Sequence, residues 1–135
     1  MRVVADSHVL VFYLLKPAKL SERALEALLD AKNSDGIVAS VASIGDLWYA
    51  SHKQGPKSLV PGAYQDIRRT LLDPATNFEV APVLDTTMEH FDAVPLAALS
   101  DPFDRFILAT AAQLRLPLVT ADREITASKA VEVIW

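Results

Sequence analysis

Arg2-Val3-Val4-Ala5-Asp6-Ser7-His8-Val9-Leu10-Val11-Phe12-Tyr13-Leu14-Leu15 decides how the chain reads. Val3 to Ala5 is short and wholly apolar, the pattern of a strand buried on both faces. Val9 to Leu15 is a second apolar run, and Asp6, Ser7 and His8 separate the two. With one Arg ahead of it and no small-residue cleavage pattern nearby, the segment is expected to be neither a signal peptide nor a membrane span.

Moving outward, Ile37 to Ser40, Phe78 to Ala81, Leu116 to Thr120 and Val131 to Ile134 look like the first run, which itself extends over Arg2 to Ala5. Helical patterns lie between them. Leu20 to Lys32 places Leu20, Ala24, Leu25, Leu28 and Leu29 on one face of an amphipathic helix. Thr86 with Glu89 has the spacing of a capping box, and Asp101-Pro102 reads as an N-cap with proline at the first helical position, opening a helix through Arg115 that Pro117 ends. Strands alternating with helices imply right-handed crossovers and a parallel sheet covered on both faces. Residues 1–135 are therefore expected to form one α/β domain, with Gly55 to Gly62 as its most loop-like stretch.

Composition narrows the chemistry. The 13 Lys and Arg against 17 Asp and Glu leave a net charge of −4, and there is no cysteine, so disulfides, thiolate zinc sites and cysteine catalysis are excluded. Charged residues at 22% beside 51% apolar ones suit a compact cytoplasmic globule. Such a charge does not suggest a generic nucleic-acid coat, but it leaves room for acids that need a cation.

In a parallel sheet, ligands bind beyond the carboxyl ends of the strands. Asp6 and Asp122 each follow a strand, Asp46 lies early in the helix after Ser40, and Asp101 and Asp104 stand three apart at a helix start. Carboxylates gathered at one edge repel, so they must protonate or recruit a cation. The donors on offer are all hard oxygens, which favours Mg²⁺ or Mn²⁺ over zinc. The histidines His8, His52 and His90 lack a metal-binding spacing. Each acid also has a structural role open to it: Asp6 and Asp101 as helix caps, Asp104 as a macrodipole partner, Asp122 as a cap or turn residue and Asp46 as a solvated surface acid. Ser7 and Thr120 could hold a metal-bound water or a phosphate oxygen, or bond the local backbone, and Arg105 could meet phosphate or pair with a nearby acid. Lys53, Lys57, Arg68 and Arg69, with His52, make residues 52 to 69 locally basic, either an RNA-backbone contact or a solvated face. Phe12 to Leu15, Trp48 and Tyr49 are core or a partner surface.

Asp6-Ser7-His8-Val9-Leu10, Ala42-Ser43-Ile44-Gly45-Asp46-Leu47, Asp101-Pro102-Phe103-Asp104-Arg105 and Leu118-Val119-Thr120-Ala121-Asp122-Arg123 together carry a resemblance. The chain looks like a PIN-domain protein of the VapC toxin type, from its first strand to its last. The resemblance implies a three-layer α/β/α fold with a mostly parallel central sheet. It also implies Asp6, Asp46, Asp104 and Asp122 as the catalytic acids, Asp101 as an additional metal-site acid and Thr120 as a site hydroxyl. The activity implied is Mg²⁺-dependent cleavage of RNA, tRNA or another structured RNA included, restrained by a cognate antitoxin, in a protein that pairs as a homodimer. The chain departs from that pattern at three places. Gly45-Asp46 stands where the family usually has Glu, often after Trp; Leu99-Ser100 stands where a His is common; and Gly55-Pro56-Lys57 replaces a tight Gly-Lys pair. Two other readings remain open: a phosphotransferase using Asp6, whose usual second Asp would fall at His8, and a weakened PIN domain whose acid pocket receives a partner's Arg.

Overall fold

The computed structural model describes residues 1–56 and 58–135, so Lys57 lies outside the described residues. Strands β1 (Val3–Ala5), β2 (Ile37–Ser40), β3 (Phe78–Ala81), β4 (Leu118–Val119) and β5 (Val133–Ile134) form one sheet in the order β3-β2-β1-β4-β5. Each neighbouring pair is parallel, with Val4 opposite both Val38 and Leu118.

The strands are short and apolar throughout because both faces are covered. Successive residues alternate between two cores. Val3, Ala5, Ile37, Ala39 and Val119 face one core, filled by Val9 and Leu10 of α1 (Ser7–Leu15), Ala24 and Leu28 of α2 (Glu22–Lys32), Leu47 of α3 (Val41–His52) and Ile67 and Leu71 of α4 (Ala63–Leu72). Val4, Val38 and Leu118 face the other, filled by Ile107, Leu108 and Ala111 of α5 (Pro102–Leu114), Ile125 of α6 (Arg123–Ser128) and Leu99. The result is the expected three-layer α/β/α arrangement around a parallel sheet.

Local chemistry sets the boundaries. Ser21 caps α2 through a bond from the Ala24 N–H, and Ser40 caps α3 through one from Ala42. Of the predicted α2 face, Leu29 is out of the core at 43% exposure, while Leu20, Ala24 and Leu28 are buried. Gly36, at φ +102°, is required where the chain turns into β2, because a Cβ there would sit 3.1 Å from the Asn77 carbonyl oxygen.

Several bounds differ from the sequence reading: β1 begins at Val3 rather than Arg2, β5 at Val133 rather than Val131, and α5 ends at Leu114. The strand expected from Leu116 begins only at Leu118, because Arg115 is left-handed at φ 56° and the Leu116 N–H returns to the Ala111 carbonyl to close α5. The predicted capping box at Thr86 is absent. Asp85 takes the cap, accepting from the Thr86 N–H, while the Thr86 hydroxyl accepts from Gln113. Thr86–Ala93 is 3-10 helix rather than α-helix. Pro95 supplies no N–H for the Phe91 carbonyl, and Arg105 donates to it instead at 2.6 Å.

Candidate functional site

Asp6 ends β1 as the N-cap of α1, with Oδ1 accepting the Ser7 N–H at 2.7 Å. Its Oδ2 accepts the Thr120 hydroxyl at 2.7 Å, and Thr120 Oγ1 accepts the Asp122 N–H at 3.0 Å. Thr120 therefore clasps the loops that leave the adjacent strands β1 and β4. Asp122 caps α6 through the Ile125 N–H, and Asp101 caps α5 through the Asp104 N–H. All three acids serve as helix caps, each through one carboxylate oxygen, and the second oxygen of Asp6 is taken by Thr120. Asp104 sits one helical turn into α5 and Asp46 midway along α3. A buried bond from Thr110 of α5 to Ser40 at the head of α3, 3.0 Å long, ties the two helices together.

The electrostatics show that the acids share one environment. Asp104 is pushed up to about 7, first by burial and then by Asp6, Asp101, Asp122 and Asp46. Asp46 is raised, chiefly by burial and further by Asp101 and Asp6, against the pull of Ser7 and Lys53. Burial likewise raises Asp6, opposed by His8, Thr120 and the Ser7 N–H. The Ser7 hydroxyl favours the ionised form of Asp46, but no bond of normal geometry closes between them, so Ser7 Oγ is a buried polar atom without a partner; Ser43 Oγ is another.

Among the described residues no three acidic or histidine side chains stand close enough to cage a metal. The donor set nevertheless fits a hard divalent ion that keeps several waters: the oxygens are carboxylates whose mutual repulsion a cation relieves, and an unpartnered hydroxyl lies beside them.

Arg105 is not available to a substrate. It is 9% exposed, and its guanidinium donates to the carbonyls of Phe91, Val94, Pro95 and Leu99. The expected phosphate or acid contact gives way to an anchor for residues 91–99: the Pro95 carbonyl also accepts the Ala98 and Leu99 N–H groups, and the guanidinium draws it together with the carbonyls of Phe91, Val94 and Leu99. Of the basic set, Lys53 influences Asp46. Arg68 and Arg69 lie apart from the acids, around an open depression of about 820 Å³ shared with Trp48 and Tyr64, and Arg69 pairs with Asp66 at 3.1 Å.

His8 is the residue that sequence reasoning missed. Its Nε2 accepts the Ala121 N–H at 3.0 Å, which places the proton of the neutral ring on Nδ1, 3.6 Å from Asp6 Oδ2. Weighing histidines only as metal pairs hid it; a polar ring at the second position of a helix that directly follows a strand was the available signal. Gly45 is explained by packing: a Cβ there would stand 3.3 Å from Phe103 of α5, so its absence lets α3 lie close to the helix that carries Asp104.

A family model described as PIN domain matches residues 3–130. No curated protein matches. Solved structures with a similar fold include VapBC2 of Rickettsia felis bound to a promoter DNA fragment, at 14% identity and TM-score 0.70, with 98% of this chain and 97% of that chain covered. DNA-bound VapBC of Salmonella typhimurium aligns at 17% identity and TM-score 0.67, covering 98% and 96%. VapBC-5 of Mycobacterium tuberculosis, a member of the VapBC family of toxin-antitoxin systems, aligns at 21% identity and TM-score 0.59, covering 98% and 96%.

Proposed function

Given that the chain belongs to the PIN domain family, we propose that it is a divalent-metal-dependent endoribonuclease of the VapC type, the toxin of a toxin-antitoxin pair. The observation that carries this reading is that Thr120 joins Asp6 and Asp122 where the adjacent strands β1 and β4 end, with Asp104 near enough for both to raise its pKa. Such a site has excess negative charge that a cation removes.

Asp6, Asp104 and Asp122 would hold Mg²⁺ or Mn²⁺, with Asp101 as a further ligand, and the ion would supply positive charge to a water and to the scissile phosphate. Asp6 is fixed for this by its bonds from the Ser7 N–H and Thr120. Asp46, about one bond (~1.5 Å) shorter than the usual Glu, orients the water, with the Ser7 hydroxyl beside it. Hydrolysis forms the bond from water oxygen to phosphorus as the bond from phosphorus to the departing sugar oxygen breaks, so no protein nucleophile is needed. Lys53, which influences Asp46, and Arg68 and Arg69 would meet the RNA backbone, and Lys57 belongs to the same basic stretch of sequence.

The antitoxin partner is inferred from the toxin-antitoxin assemblies that share the fold. Leu15, Trp48 and Tyr49 are exposed by 40%, 44% and 55%, and with Phe12 they offer an apolar face for an antitoxin helix. A cytoplasmic homodimer is the proposed resting form.

The test is cleavage of a total small-RNA pool with Mg²⁺ or Mn²⁺ against EDTA, with Asp104→Ala as control. Discrete metal-dependent products that the variant lacks support the reading. Equal products from the variant, or none from the wild type with any divalent ion, overturn it. The short Asp46 favours one second reading, a weakened enzyme that mainly binds protein; a silent wild type whose Asp46→Glu variant gains metal-dependent cleavage identifies that case.

A further inference from the structure

On the other flank of Thr120 and Ala121 lies an open hollow of about 680 Å³, lined also by Arg23 of α2, Arg123 of α6 and Trp135. It meets the acid site at Thr120. Thr120, whose hydroxyl binds Asp6, belongs to both. The His8 ring that accepts the Ala121 N–H also meets Trp135, centroid to centroid 6.2 Å at 62°.

The arginine ion pairs among the described residues are Arg2–Glu79 and Arg69–Asp66, so Arg23 and Arg123 have no carboxylate partner even though the chain carries excess acid. Both are exposed, whereas Trp135 is half-buried and held at its position by His8. A carboxylate cluster repels the strand it is to cut, so the flanking phosphates need cationic seats nearby. Guanidinium groups bind phosphate through paired N–H donors, and an indole face stacks an unpaired base.

We infer that this hollow is a nucleotide subsite beside the scissile phosphodiester, in which Arg23 and Arg123 hold a backbone phosphate and Trp135 stacks one base of single-stranded RNA. The inference rests on the endoribonuclease reading and adds a side of the site to it. The hollow, at about 680 Å³, is within the usual size of ligand sites, roughly 300–1,000 Å³. A duplex base, already stacked and paired, does not fit this mode.

Trp48→Phe leaves Trp135 as the single tryptophan. Titrating that protein in EDTA with a short mixed-sequence single-stranded RNA oligonucleotide is expected to quench its fluorescence saturably. Adding Arg23→Gln with Arg123→Gln is expected to weaken binding on the order of tenfold and to flatten the dependence of log affinity on log salt by about 0.7, the value for one phosphate no longer neutralised. In the cleavage assay the same pair should raise KM and change kcat by less than about threefold. The substituted arginines are exposed, and circular dichroism checks that the fold is kept.

Asp104→Asn, introduced alone into the Trp48→Phe protein, should lose cleavage and keep the quench, which separates the subsite from the reaction centre. Unchanged affinity, quench and KM in the double-arginine variant, with the wild type still cutting, overturn the subsite and leave the nuclease standing. A wild type that neither binds nor cuts RNA overturns both. Equal quenching by a Glu-rich peptide of the same charge overturns it in favour of an acidic protein partner.

Discussion

Asp104 and Arg105 are neighbours in the first turn of α5, and the fold treats their charges in opposite ways. The Arg105 guanidinium is buried and finds four backbone carbonyls. The Asp104 carboxyl is half-buried and faces four other acids, which with burial hold it near 7. A satisfied buried charge fixes the shape of a loop, whereas an unsatisfied one keeps free energy in reserve for a ligand. On one helix, a satisfied anchor thus stands next to a carboxyl whose neighbours repel it.

The contrast can be broken from either side. Asp104→Ala should reduce metal-dependent RNA cleavage by about a thousandfold or more, about 4 kcal/mol in the barrier, while urea unfolding shows stability unchanged or raised at neutral pH. Cleavage within tenfold of wild type would place the reactive carboxylate elsewhere. Arg105→Met should do the reverse, lowering stability in urea by about 3 kcal/mol, because it leaves carbonyls of residues 91–99 buried without donors. A loss below about 1 kcal/mol would mean that water replaces the guanidinium.

Acidity sharpens the comparison. Asp104 holds its proton to about 7 in the fold, against a usual value of 3.8. Between those values the folded chain binds more protons than the unfolded one, so stability falls as pH rises through that window. Asp104→Asn removes the effect. In EDTA the variant should gain on the wild type by about 1 to 2 kcal/mol from roughly pH 4 to pH 8, a figure reduced for solvent screening at a half-exposed carboxyl. A pH-independent difference would show that Asp104 ionises freely. The smallest effect is expected at Gly45→Ala, where about 1 kcal/mol of helix propensity is offset by the displacement of Phe103. Melting should place the net change within about 0.5 kcal/mol of zero.

The sequence disclosed the frame well. Residues 3–5, 37–40 and 78–81 are strands because uninterrupted apolar runs suit a sheet covered on both faces. It disclosed less at Leu116, where apolar character continued but the backbone N–H was already committed to the end of α5. Asp6, Asp101, Asp104 and Asp122 stood out as candidates because each stands at a strand end or in the first turn of a helix, positions set by local pattern, whereas Asp46 lies midway along α3. Arg105 and His8 were not, since their partners at residues 91–99 and 121 come close only in the folded chain. The partner of a long polar side chain is a tertiary fact that short-range spacing does not encode.

The bond between Thr120 and Asp6 spans 114 residues. β1 is central in the sheet, but its β4 side stays open until residues 118–119 are made. During synthesis, a chain still ending before residue 118 has β1, β2 and β3 to pair and Asp6, Asp46, Asp101 and Asp104 in place, yet it lacks the strand that brings Thr120 and Asp122 to them. On the proposed reading, a growing chain at the ribosome is surrounded by RNA and has no assembled centre with which to cut it. The order of synthesis is itself a delay, and it gives a partner made alongside time to be waiting when the site closes.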